Sequence, residues 1–390
     1  MFMIKKLKSH VKSLEKEMFG LLERLVLIQS GTHNKAGVDD MAEYIAWILS
    51  EIPLSTRILP MKECGNMVLA VNRQAENKNS ILLMGHMDTV FPEQTAFKHY
   101  REDQFKAYGP GVLDMKGGLV TGIFALKVLS DLGFLDVIPV TVFFNSEEEI
   151  GSPYSRELIT ELALKSRAAF VLEGGGLDSQ VVTGRKGKTG FDIFISGKAG
   201  HAGCAGPDKP SAVLEAAYKT IALEELNRPP HILINVGLIH GGIGPNSVAE
   251  SARLGVDVRF THKEDGKRLI DKIRKITEKN FVRGTASELR ICSSRPPMDT
   301  DHRIEELYHV ALETSRKYGL SLGRETRGGV SDANYIAAVN VPVLDGLGPC
   351  GDMDHSDREY IVKKTMVERT ILLAGCLLEL RDREPEPMPE

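Results

Sequence analysis

Apolar side chains recur along the first thirty residues at Ile4, Leu7, Val11, Leu14, Met18, Leu21, Leu25 and Ile28. Steps alternating between three and four residues form the seam of an amphipathic helix. Such a seam can close a coiled-coil dimer, but Gly20 interrupts it and about three heptads lie near the lower limit for one. The expectation is a helix packed on its own domain.

From there to about residue 185 the pattern alternates. Ile81–Met84, Val140–Phe144 and Ala168–Leu172 are short continuous apolar runs, as in strands buried on both faces. Helical stretches, Lys116–Leu132 and Ser155–Lys165, lie between them. The alternation predicts an α/β layer structure with helices covering a largely parallel sheet.

The rhythm changes between about residues 186 and 297. Phe191–Ile195 alternates as a strand, Pro210–Leu226 reads as a helix, and Ile232–Ile239 and Val248–Phe260 read as strands. A helix over Lys267–Lys279 and a short strand over Leu289–Cys292 follow. The order β-α-β-β-α-β is that of a ferredoxin-like unit, and about 110 residues suffice for a domain. Past Arg295-Pro296-Pro297 the first rhythm resumes, with a helix over Asp301–Tyr318 and a strand over Val341–Leu344. The predicted architecture is an α/β domain of residues 1–185 and 298–390, interrupted by an α+β domain of residues 186–297.

Composition narrows the function. Among 390 residues, 42% are hydrophobic and 26% charged, the balance of an ordinary folded protein. A net charge of −4 provides no long-range attraction to polyanions, so no nucleic-acid partner is expected. Cys64, Cys204, Cys292, Cys350 and Cys376 are few, odd in number and far apart. They form no disulfide scaffold and no CxxC knuckle, which fits a reducing cytoplasm. The N-terminus has no uninterrupted apolar h-region, and Lys127 and Asp131 break the richest apolar stretch, Gly117–Leu135. No membrane association is expected. The end REPEPMPE cannot bury a core and is expected to fray.

Acidic residues and histidines gather just past the apolar strands. ILLMGHMDTV places His86 and Asp88 there, VTVFFNSEEEIGS places Glu147, Glu148 and Glu149, and AAFVLEGGG places Glu173. Asp114 in YGPGVLDMKGG and His355 in DMDHSDREY come from loops. If the three strands are parallel neighbours, their clusters open on one sheet edge, where α/β proteins bind ligands. Asp88, Asp114, Glu148, Glu149 and Glu173 would then crowd together. At about 4 Å and an effective dielectric of about 20, each like-charge pair costs about 4 kcal/mol. Protons or cations must compensate, and two divalent ions would do so, with His86 and His355 giving each a neutral imidazole. Mixed imidazole and carboxylate donors without thiolates suit zinc, with cobalt or manganese as alternatives. Each element alone has an ordinary reading: a structural histidine, a solvated acidic face, a loop turn. Three glutamates two residues beyond a buried strand are nevertheless costly unless something positive faces them. Asp88 could accept from the second ring nitrogen of His86 and fix its tautomer.

The segments GHMDTV, GPGVLDMKGG, NSEEEIGS, SGKAGHAG, GGVSDANY and DHSD, in that order, resemble the M20 family of co-catalytic zinc metallopeptidases. Within it the likeness is to the glutamate carboxypeptidase (carboxypeptidase G2-like) branch, from about residue 20 to 380. The resemblance implies a di-zinc exopeptidase-type catalytic domain with an inserted ferredoxin-like lid and dimerisation domain. It implies two Zn2+ per subunit, with Asp114 bridging, His86 and Glu173 completing one site and Glu149 and His355 the other. Asp88 would orient His86, and Glu148 would be the general base. The pattern read back from Gly151-Ser152 selects Glu149 as ligand and Glu148 as base, with Glu147 where aspartate is common. His201 of the inserted domain would steady the oxyanion, commonly from the opposite subunit of a homodimer. Asn246, Arg259 and Arg295, with Gly328 and Gly329, would hold the substrate carboxylate. Arg295, beside two prolines at a domain junction, reads equally as a hinge salt bridge.

The implied function is a di-zinc amidohydrolase that releases a C-terminal amino acid, glutamate foremost, from an N-acyl or peptidyl donor through a metal-bridging hydroxide. Gly184-Arg185-Lys186-Gly187 is more basic than the branch pattern, which leaves the substrate open. The alternatives are a deacylase of N-acetyl or N-succinyl amino acids (acetylornithine deacetylase or succinyl-diaminopimelate desuccinylase-like), a dipeptidase, or a binding protein that has lost catalysis. No ligand and no base is missing, which opposes the last. A phosphate-cradling reading of YGPGVLDMKGG fails, because it lacks the P-loop order and an acidic residue would face the anion.

Overall fold

The N-terminal seam is not one helix. It breaks at Leu14, giving α1 (Phe2–Ser13) and α2 (Glu15–Leu27), while Leu7, Val11, Leu14, Met18, Leu21 and Leu25 stay buried. The computed structural model describes residues 2–77 and 79–381; the REPEPMPE end lies outside them. The chain divides into two compact units. The first runs to Gly184 and takes in Thr300–Thr326 and the chain from Ser331, and the second is Arg185–Asp299 with Arg327–Val330.

In the first unit α3 (Lys35–Ser50) precedes a six-stranded sheet. Its order is Ser55–Leu59, Met67–Val71, Val140–Asn145, Ser80–His86, Ser166–Val171 and Val343–Leu344. The last four strands run parallel, and an antiparallel hairpin, Ser55–Leu59 with Met67–Val71, forms one edge. Every residue of Ser80–His86 and Val140–Asn145 is buried, which explains their continuous apolar runs. Val140–Asn145, Ser80–His86 and Ser166–Val171 are adjacent and parallel, so their carboxyl ends share one edge. Helices α4 (Gly117–Asp131) and α5 (Arg156–Leu164) fall between strands. The start of α4 abuts the end of Ser166–Val171: a Cβ on Gly118 would lie 1.7 Å from the Leu172 carbonyl oxygen. Only glycine permits that approach, which holds the Asp114 loop against the Glu173 segment.

The second unit has an antiparallel sheet of Ile232–Gly241, Ser251–Phe260, Gly187–Ser196 and Ala286–Arg295, in that order. With α6 (Ala212–Glu224) and α7 (Lys263–Glu278) this is the ferredoxin-like β-α-β-β-α-β arrangement. Phe191, Ile193, Ile195, Leu254, Val256, Leu269 and Ile273 belong to its core. The expected strand Val248–Phe260 is interrupted at Ala249 and Glu250. Their carbonyls instead accept from the N–H of Ala212 and Gly197, and Ser247–Val248 pairs with Gly200–His201. Lys219 of α6 is wholly buried and donates to the carbonyls of Ile276, Thr277 and Lys279 at the end of α7. It pairs with the buried Glu215 at 3.0 Å, which accepts from the N–H of Phe281 and Val282.

The chain returns to the first unit with α8 (His302–Tyr318), α9 (Ala333–Ala338) and α10 (Lys363–Arg381). Asp301 caps α8 by accepting from the N–H of Arg303 and Ile304. Helix α10, apolar on almost every side, packs against α4 and α8, and α1 lies against all three. The seam thus serves its own unit. Among the described residues no helix is long and apolar enough to cross a membrane.

Candidate metal centre

His86 ends its strand with a buried ring. Its Nδ1 lies 3.0 Å from the Asp88 main-chain oxygen and 3.3 Å from Asp88 Oδ1. Facing acceptors alone, Nδ1 carries the proton of a neutral ring and leaves Nε2 with a lone pair. Asp88 is buried too. It accepts from the Thr32 hydroxyl at 2.7 Å and from the N–H of Glu148 and Glu149 at 3.2 and 3.3 Å. One carboxylate therefore ties the His86 loop to the turn after the neighbouring strand.

His86 Nε2 lies 3.0 Å from Asp114 Oδ1 and 3.6 Å from Glu173 Oε1. The other Asp114 oxygen, Oδ2, is 3.1 Å from His355 Nε2, which is 3.4 Å from Glu149 Oε2. Two triads result, His86–Asp114–Glu173 and Asp114–Glu149–His355, and each could hold a metal ion. The Asp114–Met115 peptide bond is cis. His355 adopts a left-handed φ of 59°, which is uncommon for a side-chain-bearing residue and is found at constrained sites.

The electrostatics follow from crowding several acids and two imidazoles together. Burial opposes the charge of Asp114, yet His355 and His86 hold its carboxyl well below the usual range. Burial and the Asp114 charge push Glu149 up to about 7 and Glu173 up to about 8. Burial alone would lower His86, but Asp114, Asp88 and Glu173 raise it well above the ordinary histidine range. Asp114 and Glu149 take His355 up to about 11. So many buried carboxylates in one place call for compensating positive charge, which protons or cations can supply. Glu149 Oε1 is buried without a hydrogen-bond partner, although buried acceptors are normally satisfied. That orphaned oxygen and the nitrogen–oxygen donor set fit divalent metal ions.

Glu148 opens the short turn Glu148–Ile150, next to Glu149. Glu147 is fully buried and accepts from the N–H of Tyr154 and Ser155 at the start of α5; burial pushes it up to about 7. In the second unit the exposed His201 accepts from Gly203 N–H at Nδ1, 3.1 Å away, which leaves the ring proton on Nε2. It pairs with Ser247, next to Asn246, whose carbonyl accepts from Ala202 N–H. Arg259 donates to Asp257 at 2.8 Å and to the Gly328 carbonyl at 3.1 Å, and Arg185 donates to the Gly329 carbonyl. Arg295 is buried at its strand end, opposite Lys188. The structure thus gathers His86, Asp88, Asp114, Glu149, Glu173 and His355 in one unit. In the other it pairs His201 with the Asn246 segment, and Arg259 with Gly328.

Residues that the sequence did not single out complete the frame. Buried Glu359 accepts from the N–H of Gly111, Leu113 and Asp114 at 2.8, 2.7 and 3.0 Å. Asp332 accepts from Asn145 at 2.7 Å and from the Ser152 hydroxyl, and so braces the Glu147–Glu149 turn from both ends. Their only signal in the sequence is an acid close to His355 and an acid inside GGVSDANY.

The model of peptidase family M20/M25/M40 matches residues 82–379. Carboxypeptidase G2 of Pseudomonas sp. (strain RS-16) is 29% identical over 366 residues, 92% of this chain and 87% of the relative. Succinyl-diaminopimelate desuccinylase of Wolinella succinogenes is 26% identical over 313 residues, 75% of this chain and 82% of the relative. Among solved structures, a dinuclear metal-binding peptidase of the M20 family from Bacillus subtilis superposes with a TM-score of 0.73 at 14% identity, covering 95% of this chain and 99% of that one. The family match takes in every segment that contributes to the two triads, and the chain accordingly belongs to peptidase family M20/M25/M40, whose members are metal-dependent hydrolases.

Proposed function

We propose that the protein is a di-zinc amidohydrolase that releases a C-terminal amino acid, glutamate foremost, from an N-acyl or peptidyl donor. The carrying observation is Asp114, whose two oxygens face His86 and His355 at 3.0 and 3.1 Å. It can therefore belong to two sites at once. His86, Asp114 and Glu173 would hold one ion and Asp114, Glu149 and His355 the other, with cobalt or manganese as substitutes for zinc. Bound zinc supplies Lewis acidity, polarising a carbonyl and making water acidic near neutral pH.

The remaining roles fall to side chains. Asp88 keeps the His86 proton on Nδ1. Glu148 takes a proton from the attacking water and returns it to the departing amine, so the acyl carbon gains oxygen as its bond to nitrogen breaks. His201 donates from Nε2 to the oxyanion, a contact worth about 3–4 kcal/mol in the barrier. Arg259 and Arg295, with Asn246 and the Gly328–Gly329 backbone, grip the free carboxylate beside the amide.

We further assign the second unit as a lid and dimerisation domain in a homodimer. Val213, Leu214, Tyr218 and Ile221 on α6, and Leu238 and Ile239 on the sheet's edge strand, are exposed apolar groups. They support pairing with a second copy. Five cysteines without disulfides support a cytoplasmic setting. The desuccinylase likeness keeps a deacylase as the second reading.

The test is amine release from an N-acyl-glutamate, N-acetyl-ornithine and a simple dipeptide, before and after chelation, with zinc content measured alongside. Turnover lost on chelation and restored by zinc is expected, with N-acyl-glutamate preferred. Protein that holds two zinc ions and hydrolyses none of the three would overturn the reading.

A further inference from the structure

Three glycines follow Glu173, and the first two make room for side chains from elsewhere in the first unit. A Cβ on Gly174 would sit 2.3 Å from Cδ1 of Leu113, the neighbour of Asp114. A Cβ on Gly175 would sit 2.5 Å from Nη2 of Arg369. Arg369 comes from α10 and is buried. Its Nη2 donates to the Gln180 carbonyl at 2.8 Å and lies 3.6 Å from the Cys350 sulfur. The same Gln180 carbonyl accepts from Gly176 N–H at 3.1 Å. One turn earlier, on the same helix face, the Thr365 hydroxyl accepts from Cys350 N–H at 2.8 Å.

Burying a guanidinium is costly, and an apolar residue of similar volume can fill such a space at least as well. What the guanidinium adds is a hold on two segments at once, and each segment leads to a different triad. The first begins at Glu173. Its carbonyl accepts from Gly348 N–H at 2.9 Å, and Gly175 N–H donates to the Pro349 carbonyl at 2.9 Å. Gly175 and Cys350 thereby lie side by side in parallel. Cys350 roots the hairpin that carries His355. Its carbonyl accepts from Val362 N–H at 2.8 Å, and Gly351–Asp352 pairs with Tyr360 and Ile361. His355 lies in the turn between those strands.

We propose that Arg369 is a positioning residue of the metal centre. Its guanidinium, seated on Gly175, fixes the Glu173 segment against the root of the His355 hairpin and so sets the spacing of the two triads. The assignment rests on the di-zinc reading above. It also gives the second glycine after Glu173 a role, since a side chain there would take the guanidinium's place.

The test measures zinc affinity of the full chain by chelator competition, with urea denaturation of the metal-free chain in parallel. Arg369→Met weakens zinc binding by about tenfold or more. Arg369→Lys, which returns a charged donor without the planar fork, recovers part of that loss. Gly175→Ala, whose methyl displaces the guanidinium, weakens zinc binding as Arg369→Met does. The two changes combined are no worse than either alone, because both remove one contact. Arg369→Lys and Gly175→Ala unfold near the wild-type urea midpoint while binding zinc more weakly, which a purely structural role would not produce. These two variants carry the test by themselves if Arg369→Met does not fold. Wild-type zinc affinity in Gly175→Ala and Arg369→Lys, losses that add in the double variant, or zinc affinity that only follows stability overturns the assignment of Arg369. Wild-type protein that holds fewer than two zinc ions overturns instead the di-zinc reading beneath it.

Discussion

The Glu359 carboxylate lies 3.0 Å from the backbone nitrogen of Asp114 and also holds the N–H groups of Gly111 and Leu113. It pins the loop so that both Asp114 oxygens face imidazoles. Glu359→Ala leaves three buried N–H groups without an acceptor. Such supporting contacts matter to metal sites, and a loss of about 10–100-fold in zinc affinity is expected. Competition with a chromogenic chelator measures it. Glu359→Gln, which keeps one oxygen, falls between wild type and the alanine variant; equal zinc affinity in all three would remove Glu359 from the centre's support.

Glu148→Gln preserves shape and removes the carboxylate that the proposed mechanism uses as proton acceptor. Its kcat drops by about 10²–10⁴, while zinc content stays at the wild-type level because Glu148 belongs to neither triad. Steady-state kinetics paired with elemental analysis separates this outcome from simple metal loss.

The second unit depends on a buried ion pair. Lys219→Met strands Glu215 and leaves the carbonyls of Ile276, Thr277 and Lys279 unmet. Removing one partner of a buried pair costs about 3–5 kcal/mol. Chemical denaturation detects that loss, and adding Glu215→Gln recovers part of it.

Asp301 gives a stability contribution that depends on pH. Burial works against its charge, but the Arg303 guanidinium and the N–H groups of Ile304 and Arg303 prevail and hold its carboxyl below the usual range. A folded-state pKa below the unfolded one means stability that is present at neutral pH and lost as pH falls through the folded value. Asp301→Ala therefore costs about 1 kcal/mol near pH 7. Below about pH 4 its melting temperature converges on that of the wild type.

Burial decides how much of this was legible in the sequence. Ser80–His86 and Val140–Asn145 stand out because both faces are covered. The edge strand Ser55–Leu59 has only exposed and half-buried positions and leaves no apolar run to read. The break at Leu14 is equally silent, because α1 and α2 keep the same three- and four-residue steps on either side of it. In the segment Val248–Phe260, the interruption comes from distant N–H groups, of Gly197 and Ala212, that claim two carbonyls. The strand-end acids could be found because parallel neighbours bring their ends together, a consequence of fold class. Glu359 could not, since a carboxylate that serves backbone nitrogens nearly 250 positions away has no local pattern.

Asp114 stands in both triads, and that sharing makes the two sites thermodynamically linked. A cation at one triad draws on the same carboxylate that the other requires, and it also orders that carboxylate for its neighbour. By reciprocity, whatever the first ion does to the affinity of the second, the second does equally to the first. Two ions bound as proposed would therefore fill the centre as a coupled pair, with binding constants that belong to the pair rather than to either site.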